Sequence, residues 1–122
     1  MSEQKHTLVL GASDNPSRYS YLAVERLQAN GHPVSAIGKK AVKVHGINVE
    51  TEKISFENIN TVTLYLSPVH QKEYYDYILS LKPERVIFNP GTENPELQNL
   101  LSENHINYLE ACTLVMLSTH QY

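Results

Sequence analysis

The chain has 122 residues, of which 41% are hydrophobic and 19% are charged, a composition typical of one folded domain with one core. Ten Lys and Arg against thirteen Asp and Glu give a net charge of −3, which argues against a general nucleic-acid binder, because a polyanion partner usually requires a basic face. No run approaches the ~20 apolar residues of a membrane span. The first ten residues lack the apolar region of a signal peptide. The single cysteine, Cys112, has no partner for an internal disulfide. We therefore expect a single domain over residues 1–122, located in the cytoplasm.

The first predicted elements are a strand over His6–Leu10 and a helix over Tyr19–Asn30, joined by a polar segment. The strand is short, continuously apolar and bounded by glycine, which is typical of a buried parallel strand. A strand, a turn of small residues and a helix start form the arrangement with which α/β proteins hold phosphate, since the first helical N–H groups have no intrahelical partner. We predict that Gly11–Ser20 holds the phosphates of a nucleotide-like ligand.

This first loop departs from the dinucleotide-binding pattern G-x-G-x-x-G, which needs a second glycine for close approach to a pyrophosphate. Only Gly11 is glycine, and Ser13 and Pro16 stand at the second and third positions. Ser13 still permits a tight turn and adds a hydroxyl donor, and Arg18 would offer a forked donor to phosphate oxygens. The alternative is a plain strand-to-helix turn without a ligand.

The end of the second predicted strand discriminates between nucleotides. Pro33–Ile37 predicts this strand, and the chain continues as Gly38-Lys39-Lys40. NAD-binding proteins usually carry Asp or Glu here, accepting hydrogen bonds from the ribose hydroxyls. Two lysines would instead attract a phosphate on the ribose, which favours coenzyme A or NADP over NAD. A solvated lysine pair on a surface turn is the alternative.

The middle of the chain predicts a short hairpin or extended loop within Ala41–Asn60 and a third strand over Thr61–Leu66. Ser67 and Pro68 then open a helix, because serine is a good N-cap and proline is favoured at the first helical position. The inward face of this helix repeats at i, i+3, i+4 and i+7 in Tyr74, Tyr77, Ile78 and Leu81. His70 falls in its first turn, where a general-base role is conceivable without a partner that the sequence names.

The last elements are a strand over Arg85–Asn89, a compact polar loop to Asn94, a helix that begins there and a strand over Ile106–Ala111. Gly91 in this loop allows the backbone to approach a ligand closely. Asn94 precedes a proline, which repeats the pattern of cap and first helical position. We expect the tail, Cys112–Tyr122, to form a short helical turn or a strand extension.

Strands separated by helices predict parallel pairing with right-handed crossovers. We therefore predict an α/β, Rossmann-like, doubly wound parallel sheet of five strands in the order 3-2-1-4-5, with helices on both faces. Ligands of such sheets bind outside the carboxyl ends of the strands where the order reverses, here between strands 1 and 4. Four loops should line one crevice there: Gly11–Ser20, Gly38–Lys40, Ser67–Val69 and Asn89–Thr92.

The sequence predicts no catalytic or metal site. Glu93 and Asp14 are the acids expected near the crevice, and one carboxylate without a paired acid, a nucleophile or a metal cluster does not make a hydrolase. The six histidines show no ligand spacing, and Cys112 is expected to be a small, partly buried core residue. Exposed tyrosines such as Tyr21 or Tyr75 would mark an oligomer contact.

Taken together, these segments resemble the small stand-alone CoA-binding proteins, a family similar to the CoA-binding domain of succinyl-CoA synthetase. The resemblance covers about residues 5 to 117 and is carried by Gly11-Ala12-Ser13, Pro16-x-Arg18-Tyr19-Ser20, the lysines after strand 2, Ser67-Pro68 and Asn89-Pro-Gly-Thr-Glu-Asn94. It implies a Rossmann-like fold with CoA held by the first loop, the end of strand 2 and the loop after strand 3. Ligase activity does not follow, because the synthetase's ATP-grasp and phosphohistidine domains do not fit in 122 residues.

The resemblance also implies a role for individual residues. Gly11, Ser13, Arg18 and Ser20 would face phosphates, Lys39 and Lys40 would lie near the 3′-phosphate, and Ser67–Val69 would lie near the adenine or pantetheine. The family often has Asn-Pro where this chain has Gly38-Lys39. The full predicted cofactor-binding set is Gly11, Ala12, Ser13, Arg18, Tyr19, Ser20, Gly38, Lys39, Lys40, Ser67, Pro68, Val69, Pro90 and Gly91.

We thus predict a CoA- or acyl-CoA-binding protein without complete catalytic machinery, such as a sensor or carrier. An NADP-binding oxidoreductase subunit and a regulatory interaction module without a ligand are the alternatives. Neither a nucleic acid nor a membrane is a predicted partner. A homo-oligomer or an unknown partner enzyme stays open.

Overall fold

The structure, a computed structural model, describes residues 3–122. Within them the chain forms seven strands and five helices. The strands are β1 (Thr7–Ala12), β2 (Val34–Gly38), β3 (Lys43–Val44), β4 (Ile47–Glu50), β5 (Thr61–Leu64), β6 (Arg85–Phe88) and β7 (Asn107–Glu110). The helices are α1 (Tyr19–Ala29), α2 (Pro68–Gln71), α3 (Tyr75–Leu81), α4 (Pro95–Glu103) and α5 (Thr113–Ser118), and a 3₁₀ turn, Lys72–Tyr74, joins α2 to α3. Residues 1 and 2 of the domain predicted over residues 1–122 lie outside the described residues.

All seven strands form one sheet in the order β3-β4-β2-β1-β5-β6-β7. Each neighbouring pair is parallel except the β3–β4 hairpin, which is antiparallel. The predicted Rossmann-like α/β class is confirmed, but the predicted five-strand order 3-2-1-4-5 is wrong. It placed Thr61–Leu66 beside the second strand, whereas Thr61–Leu64 pairs with β1 on the side away from β2.

The hairpin explains this error. The alternating apolar residues between 42 and 49 do form a hairpin, as one of the two predicted alternatives. Its second strand, β4, also pairs in parallel with β2, because Ala36 aligns with Val49 and Ile37 with Glu50. When β4 is counted, the six parallel strands have the order 3-2-1-4-5-6 of the dinucleotide-binding fold. The order therefore reverses between β1 and β5. The prediction had placed this reversal between the first strand and Arg85–Asn89, which corresponds to β6.

Helices cover both faces of the sheet, as predicted. Successive residues of β1 point to opposite faces, so Leu8 and Leu10 belong to one apolar core and Val9 to the other. The first core includes Ile78 of α3 and Leu97 of α4, and the second includes residues of α1 and α5. Each leucine that is fully buried in these cores stabilises the fold by about 1.5–3 kcal/mol. Of the two forms expected for the tail, the structure has the helix, α5.

None of the helices within residues 3–122 combines the length and the apolar character that crossing a membrane requires.

The amino-terminal edge of the sheet contains a buried histidine that should make stability depend on pH. The Lys5 amide donates to His32 Nδ1 at 3.0 Å, so this nitrogen is an acceptor and the imidazole is neutral. Burial, helped by the charges of Lys5 and Arg85, lowers the pKa of His32 below 6.5. Burial likewise lowers the pKa of His6, against a hydrogen bond to the Glu57 backbone that raises it.

We expect the free energy of unfolding to fall as the pH drops below about 6.5 and to level off once both folded-state pKa values are passed. The free energy of unfolding falls in this direction because, between the folded-state pKa values and about pH 6.5, the unfolded chain binds more protons than the folded chain. Urea unfolding at pH 8, 7, 6 and 5 measures the effect. His32→Asn supplies an amide oxygen as a non-titrating acceptor and should flatten the dependence, whereas His120→Asn, at an exposed position, should leave it unchanged. Equal slopes for the two variants would contradict the assignment.

Candidate functional site

A crevice of about 660 Å³ lies at the carboxyl edge of the sheet, where the strand order reverses. The four loops that the sequence predicted to converge all contribute to its wall. The predicted residues that line it are Gly11, Ala12, Ser13, Arg18, Tyr19, Ser20, Gly38, Lys39, Lys40, Ser67, Pro90 and Gly91. The lining residues outside that set are Asp14, Asn15, Ile37, Val42, Tyr65, Leu66, His70, Glu73, Tyr74 and Thr92. That these residues bind a cofactor stays a prediction.

Pro68 and Val69 are the two members of the predicted set that do not line the crevice. Helix α2 begins at Pro68, and its first turn carries both residues at the protein surface. The Val69 side chain is 75% exposed. The wall at this place is built by the residues on either side, Ser67 and His70.

The first loop is a compact polar turn organised by Asn15. Its Oδ1 accepts hydrogen bonds from the amide and the hydroxyl of Ser17, at 3.0 and 2.8 Å, and its own amide donates to Ser13 Oγ at 3.1 Å. The Asn15 carbonyl accepts from the Arg18 amide at 3.0 Å. This turn places Arg18 at the N-cap position of α1, so that the guanidinium and the free N–H groups of the first helical turn share one side of the crevice.

Gly11 is required where β1 ends. Its φ of +98° lies in the region that favours glycine. A Cβ at this position would lie 3.0 Å from the carbonyl carbon and oxygen of Tyr65 and 3.1 Å from Leu66 Cδ2. The single glycine of the first loop therefore lets the ends of β1 and β5 approach each other, which forms the floor of the crevice.

Positive charge is concentrated on the β1–β2 side of the crevice. Arg18, Lys39 and Lys40 are exposed, line the wall and form no salt bridge with any of residues 3–122. Burial raises the pKa of the Tyr65 and Tyr74 hydroxyls, so these two tyrosines of the wall are neutral near pH 7. An anionic ligand would meet three unpaired cations and the positive end of α1 here.

The acids of the crevice are Asp14 and Glu73. Asp14 was predicted to lie near the crevice, but the other predicted acid, Glu93, is not part of the wall. Its Oε1 accepts a hydrogen bond from the Gly91 amide at 2.9 Å and so holds the loop that does line the crevice. Glu73 was not predicted, because the apolar spacing of its helix indicates packing against the sheet.

Ser67 and His70 form a polar pair at the end of β5. The Ser67 carbonyl accepts from the amides of His70 and Gln71 at 3.0 and 3.1 Å, which is the backbone pattern of the predicted N-cap. The Ser67 side chain does not cap the helix, and its Oγ lies instead 2.9 Å from His70 Nδ1. This hydrogen bond supplies the partner that the sequence did not name for His70.

Gln71 is a fully buried glutamine that joins two loops of the crevice. Its Nε2 donates to the carbonyl oxygens of Leu66 and Thr92, both at 2.8 Å, and its Oε1 accepts from Asn94 Nδ2 at 2.9 Å. Gln71 is not among the residues predicted from the sequence. A signal existed, since position 71 precedes Tyr74 by one helical turn on the inward face, and a polar residue on such a face needs partners.

Asn94 and Asn89 anchor the loop after β6. Asn94 Oδ1 accepts from the Leu97 amide at 3.3 Å, which confirms the predicted N-cap of α4. Asn89 Nδ2 donates to Thr63 Oγ1 and to the Leu64 carbonyl at 2.7 and 2.8 Å, and its Oδ1 accepts from the Thr113 amide at 2.9 Å. The crevice loop Pro90–Thr92 is therefore held by buried amides at both ends.

Metal-ligating clusters are absent from the described part of the chain, where no three His, Cys, Asp or Glu side chains come together. Cys112 is partly exposed at the start of α5 and does not line the crevice. The groups available for chemistry in the crevice are thus cations, hydroxyls, one imidazole and two carboxylates.

Comparison with known proteins identifies one family and several solved structures of the same fold. The family described as CoA binding domain matches residues 5–118. The crystal structure of an uncharacterized protein is 50% identical and has a TM-score of 0.97, with 99% of this chain and all of the other chain (100%) aligned. Cell-free ID.343 from Thermus thermophilus is 20% identical, with a TM-score of 0.86 and coverage of 98% and 91%. A hypothetical protein from Pyrococcus horikoshii OT3 is 21% identical, with a TM-score of 0.87 and coverage of 95% and 83%. No match was found among curated proteins.

Proposed function

We propose, from the premise that this chain belongs to the CoA binding domain family, that it binds coenzyme A or an acyl-CoA in the crevice and holds it without converting it. The observation that carries the proposal is the convergence of Arg18, Lys39 and Lys40 beside the start of α1. These cations have no salt-bridge partner among residues 3–122. CoA carries a diphosphate and a separate 3′-phosphate, which suits two groups of cations on neighbouring strand ends.

The proposed pose follows the strand order. The diphosphate would lie on the first loop, against Gly11, Ser13 and the first turn of α1, where backbone N–H groups and Arg18 can donate. The 3′-phosphate would lie at the end of β2, near Lys39 and Lys40. The pantetheine would then extend across β1 toward the ends of β5 and β6, where Ser67 and the loop Pro90–Thr92 form the wall.

Binding without conversion is proposed because the Ser67–His70 pair lacks the third group that orients a catalytic imidazole. Within residues 3–122, no carboxylate lies within 4.0 Å of the His70 ring nitrogens. The pair is also local to one helical turn, so it can exist without any role in bond breaking. A sensor or carrier of CoA fits these features.

Calorimetry tests the proposal with CoA, dephospho-CoA and NADP as ligands. CoA should bind, and dephospho-CoA should bind at least about tenfold more weakly, because a phosphate between two lysines gains charge-assisted hydrogen bonds. The double variant Lys39→Ala/Lys40→Ala should lower CoA affinity and remove the preference over dephospho-CoA. Lys43→Ala is the matched control, since Lys43 is exposed on the following strand and does not line the crevice.

The three ligands separate the rival functions. Binding of NADP with the affinity of CoA would favour the oxidoreductase alternative, and binding of neither would favour the regulatory module. Native mass spectrometry of the purified protein would reveal a retained nucleotide by its mass and would measure the oligomeric state in the same spectrum. The cytoplasmic location stays a prediction of the sequence.

A further inference from the structure

The two edges of the sheet differ in how they are protected from pairing with another strand. At one edge β3 is only two residues long and carries the exposed Lys43. Short edge strands and lysines are among the features by which natural sheets prevent pairing with another chain. At the other edge β7 has four residues, Asn107–Glu110, without lysine or proline, and pairs with β6 without a register shift. The edge open to a further strand is therefore β7.

The main-chain groups of β7 alternate between β6 and the outer side of the sheet. The Ala111 amide donates to the Phe88 carbonyl at 3.1 Å, so in this parallel ladder the main-chain groups of Leu109 also point to β6. The N–H and C=O groups of Tyr108 and Glu110 then point outward, where no strand of residues 3–122 lies. The outer edge of β7 thus offers two donors and two acceptors to a partner strand.

A second copy of β7, running antiparallel about a two-fold axis, fits this edge in one register. With the two Leu109 residues opposite each other, Tyr108 lies opposite Glu110 of the partner subunit on both sides, and each such pair exchanges two hydrogen bonds. A register centred on Tyr108 would pair Glu110 with Ile106, whose amide already donates to the Leu101 carbonyl at 2.9 Å. A register centred on Glu110 would place two carboxylates opposite each other, which is unfavourable.

The side chains of β7 suit the register centred on Leu109. Tyr108 packs edge-on against Phe88 with ring centres 5.8 Å apart, and the Glu110 carboxylate accepts a hydrogen bond from Gln98 Nε2 at 2.9 Å. Glu110 is the one charged residue of β7, and in this register it faces a tyrosine rather than a like charge. On the opposite face the two half-buried Leu109 side chains form the close central pair and remove apolar surface from water.

We propose that the chain forms a two-fold symmetric dimer through antiparallel pairing of β7 with β7 of a second copy. The two seven-stranded sheets then join into one continuous sheet, and the short, lysine-bearing β3 at either end stops further growth. None of Asn107–Glu110 lines the crevice, so each subunit keeps its crevice open. The inference therefore does not depend on the proposed binding of CoA.

Sedimentation velocity of the full chain from about 5 to 500 μM tests the proposal. The sedimentation coefficient should pass from the monomer value to the dimer value in this range, as expected for a small interface. Leu109→Lys places two like charges together at the two-fold axis and should weaken dimerisation at least about tenfold. Ile54→Lys is the matched control, because Ile54 is 39% exposed on the loop between β4 and β5, and it should change dimerisation less than about threefold.

Amide exchange measured by NMR tests the register without a substitution. Between about 20 and 500 μM protein, exchange of the Tyr108 and Glu110 amides should slow at least about threefold, while that of Leu109, whose amide points to β6 in both states, should not change. A monomer at every concentration would overturn the proposal. A dimer that persists in Leu109→Lys, or that leaves the Tyr108 and Glu110 amides unprotected, would overturn it equally. Calorimetry with CoA on the same samples measures the proposed function separately.

Discussion

Replacing Gln71 with leucine is expected to lower the free energy of unfolding by about 3 kcal/mol and the melting temperature by roughly 10 °C. Leucine fills a similar volume but donates no hydrogen bond. The carbonyl oxygens of Leu66 and Thr92 would lose their 2.8 Å partners, and Asn94 would lose an acceptor at 2.9 Å. A buried polar group left without a partner costs about 1–3 kcal/mol. Urea unfolding and calorimetric melting measure both quantities.

The same variant should weaken CoA binding about tenfold, because Gln71 holds the loop after β5 against the loop after β6. Gln98→Leu is the matched control. Gln98 is also buried, but its Nε2 makes one bond, at 2.9 Å to Glu110, and it does not line the crevice. We expect it to cost about 1 kcal/mol and to leave CoA affinity unchanged. Equal effects of the two leucine variants would show that water replaces the bonds between the loops.

The cationic side of the crevice could be predicted from sequence because each of its parts is local. A strand, a small-residue turn and a helix start are contiguous in the chain, and Lys39 and Lys40 follow the next apolar run directly. In a parallel sheet, loops that follow strands meet at one edge whatever the strand order. This is why the predicted loops converge in the structure although the predicted order of strands was wrong.

The strand order itself depended on a pairing that the sequence does not encode locally. Residues 42–49 alternate in the way of a hairpin, and they form one. That pattern does not predict that β4 also pairs with β2, because pairing between parallel strands produces no residue pattern at a fixed spacing in the sequence. The prediction therefore gave the place beside β2 to the next apolar run, which belongs beside β1.

Two residues of the segment after β5, Gln71 and Glu73, could not be predicted for a different reason. Gln71 and Glu73 lie on a segment whose apolar periodicity indicates packing, and function there depends on which side chains leave the packed face. The break of this helix into α2, a 3₁₀ turn and α3 turns Glu73 and Tyr74 toward the crevice while Gln71 stays buried. Periodicity gives the inward face of a regular helix and does not predict such a break.

The second large effect is expected from Gly38→Ala, which should lower the free energy of unfolding by about 2–3 kcal/mol and weaken CoA binding by at least about tenfold. Gly38 ends β2 and aligns with Ala12 where the register of β1 shifts. An added Cβ would overlap the Ala12 carbonyl oxygen and would lie 3.0 Å from Val49 Cγ1. The obstacle is main chain rather than a flexible side chain, so the ends of β1 and β2 must separate. These two ends carry the first loop and the lysines, which is why stability and binding should fall together.

Gly31→Ala separates a clash at the crevice from the general cost of replacing a glycine. Gly31 follows α1 with a φ of +81°, and an added Cβ would meet no atom within 4 Å. Alanine there should cost about 1 kcal/mol through backbone conformation alone and should leave CoA affinity unchanged. Urea unfolding and calorimetry on both variants give the comparison. Unchanged CoA affinity in Gly38→Ala would contradict this prediction. The strand ends would then relax without moving the first loop, and the close contact of β1 with β2 would not determine the shape of the phosphate end of the crevice.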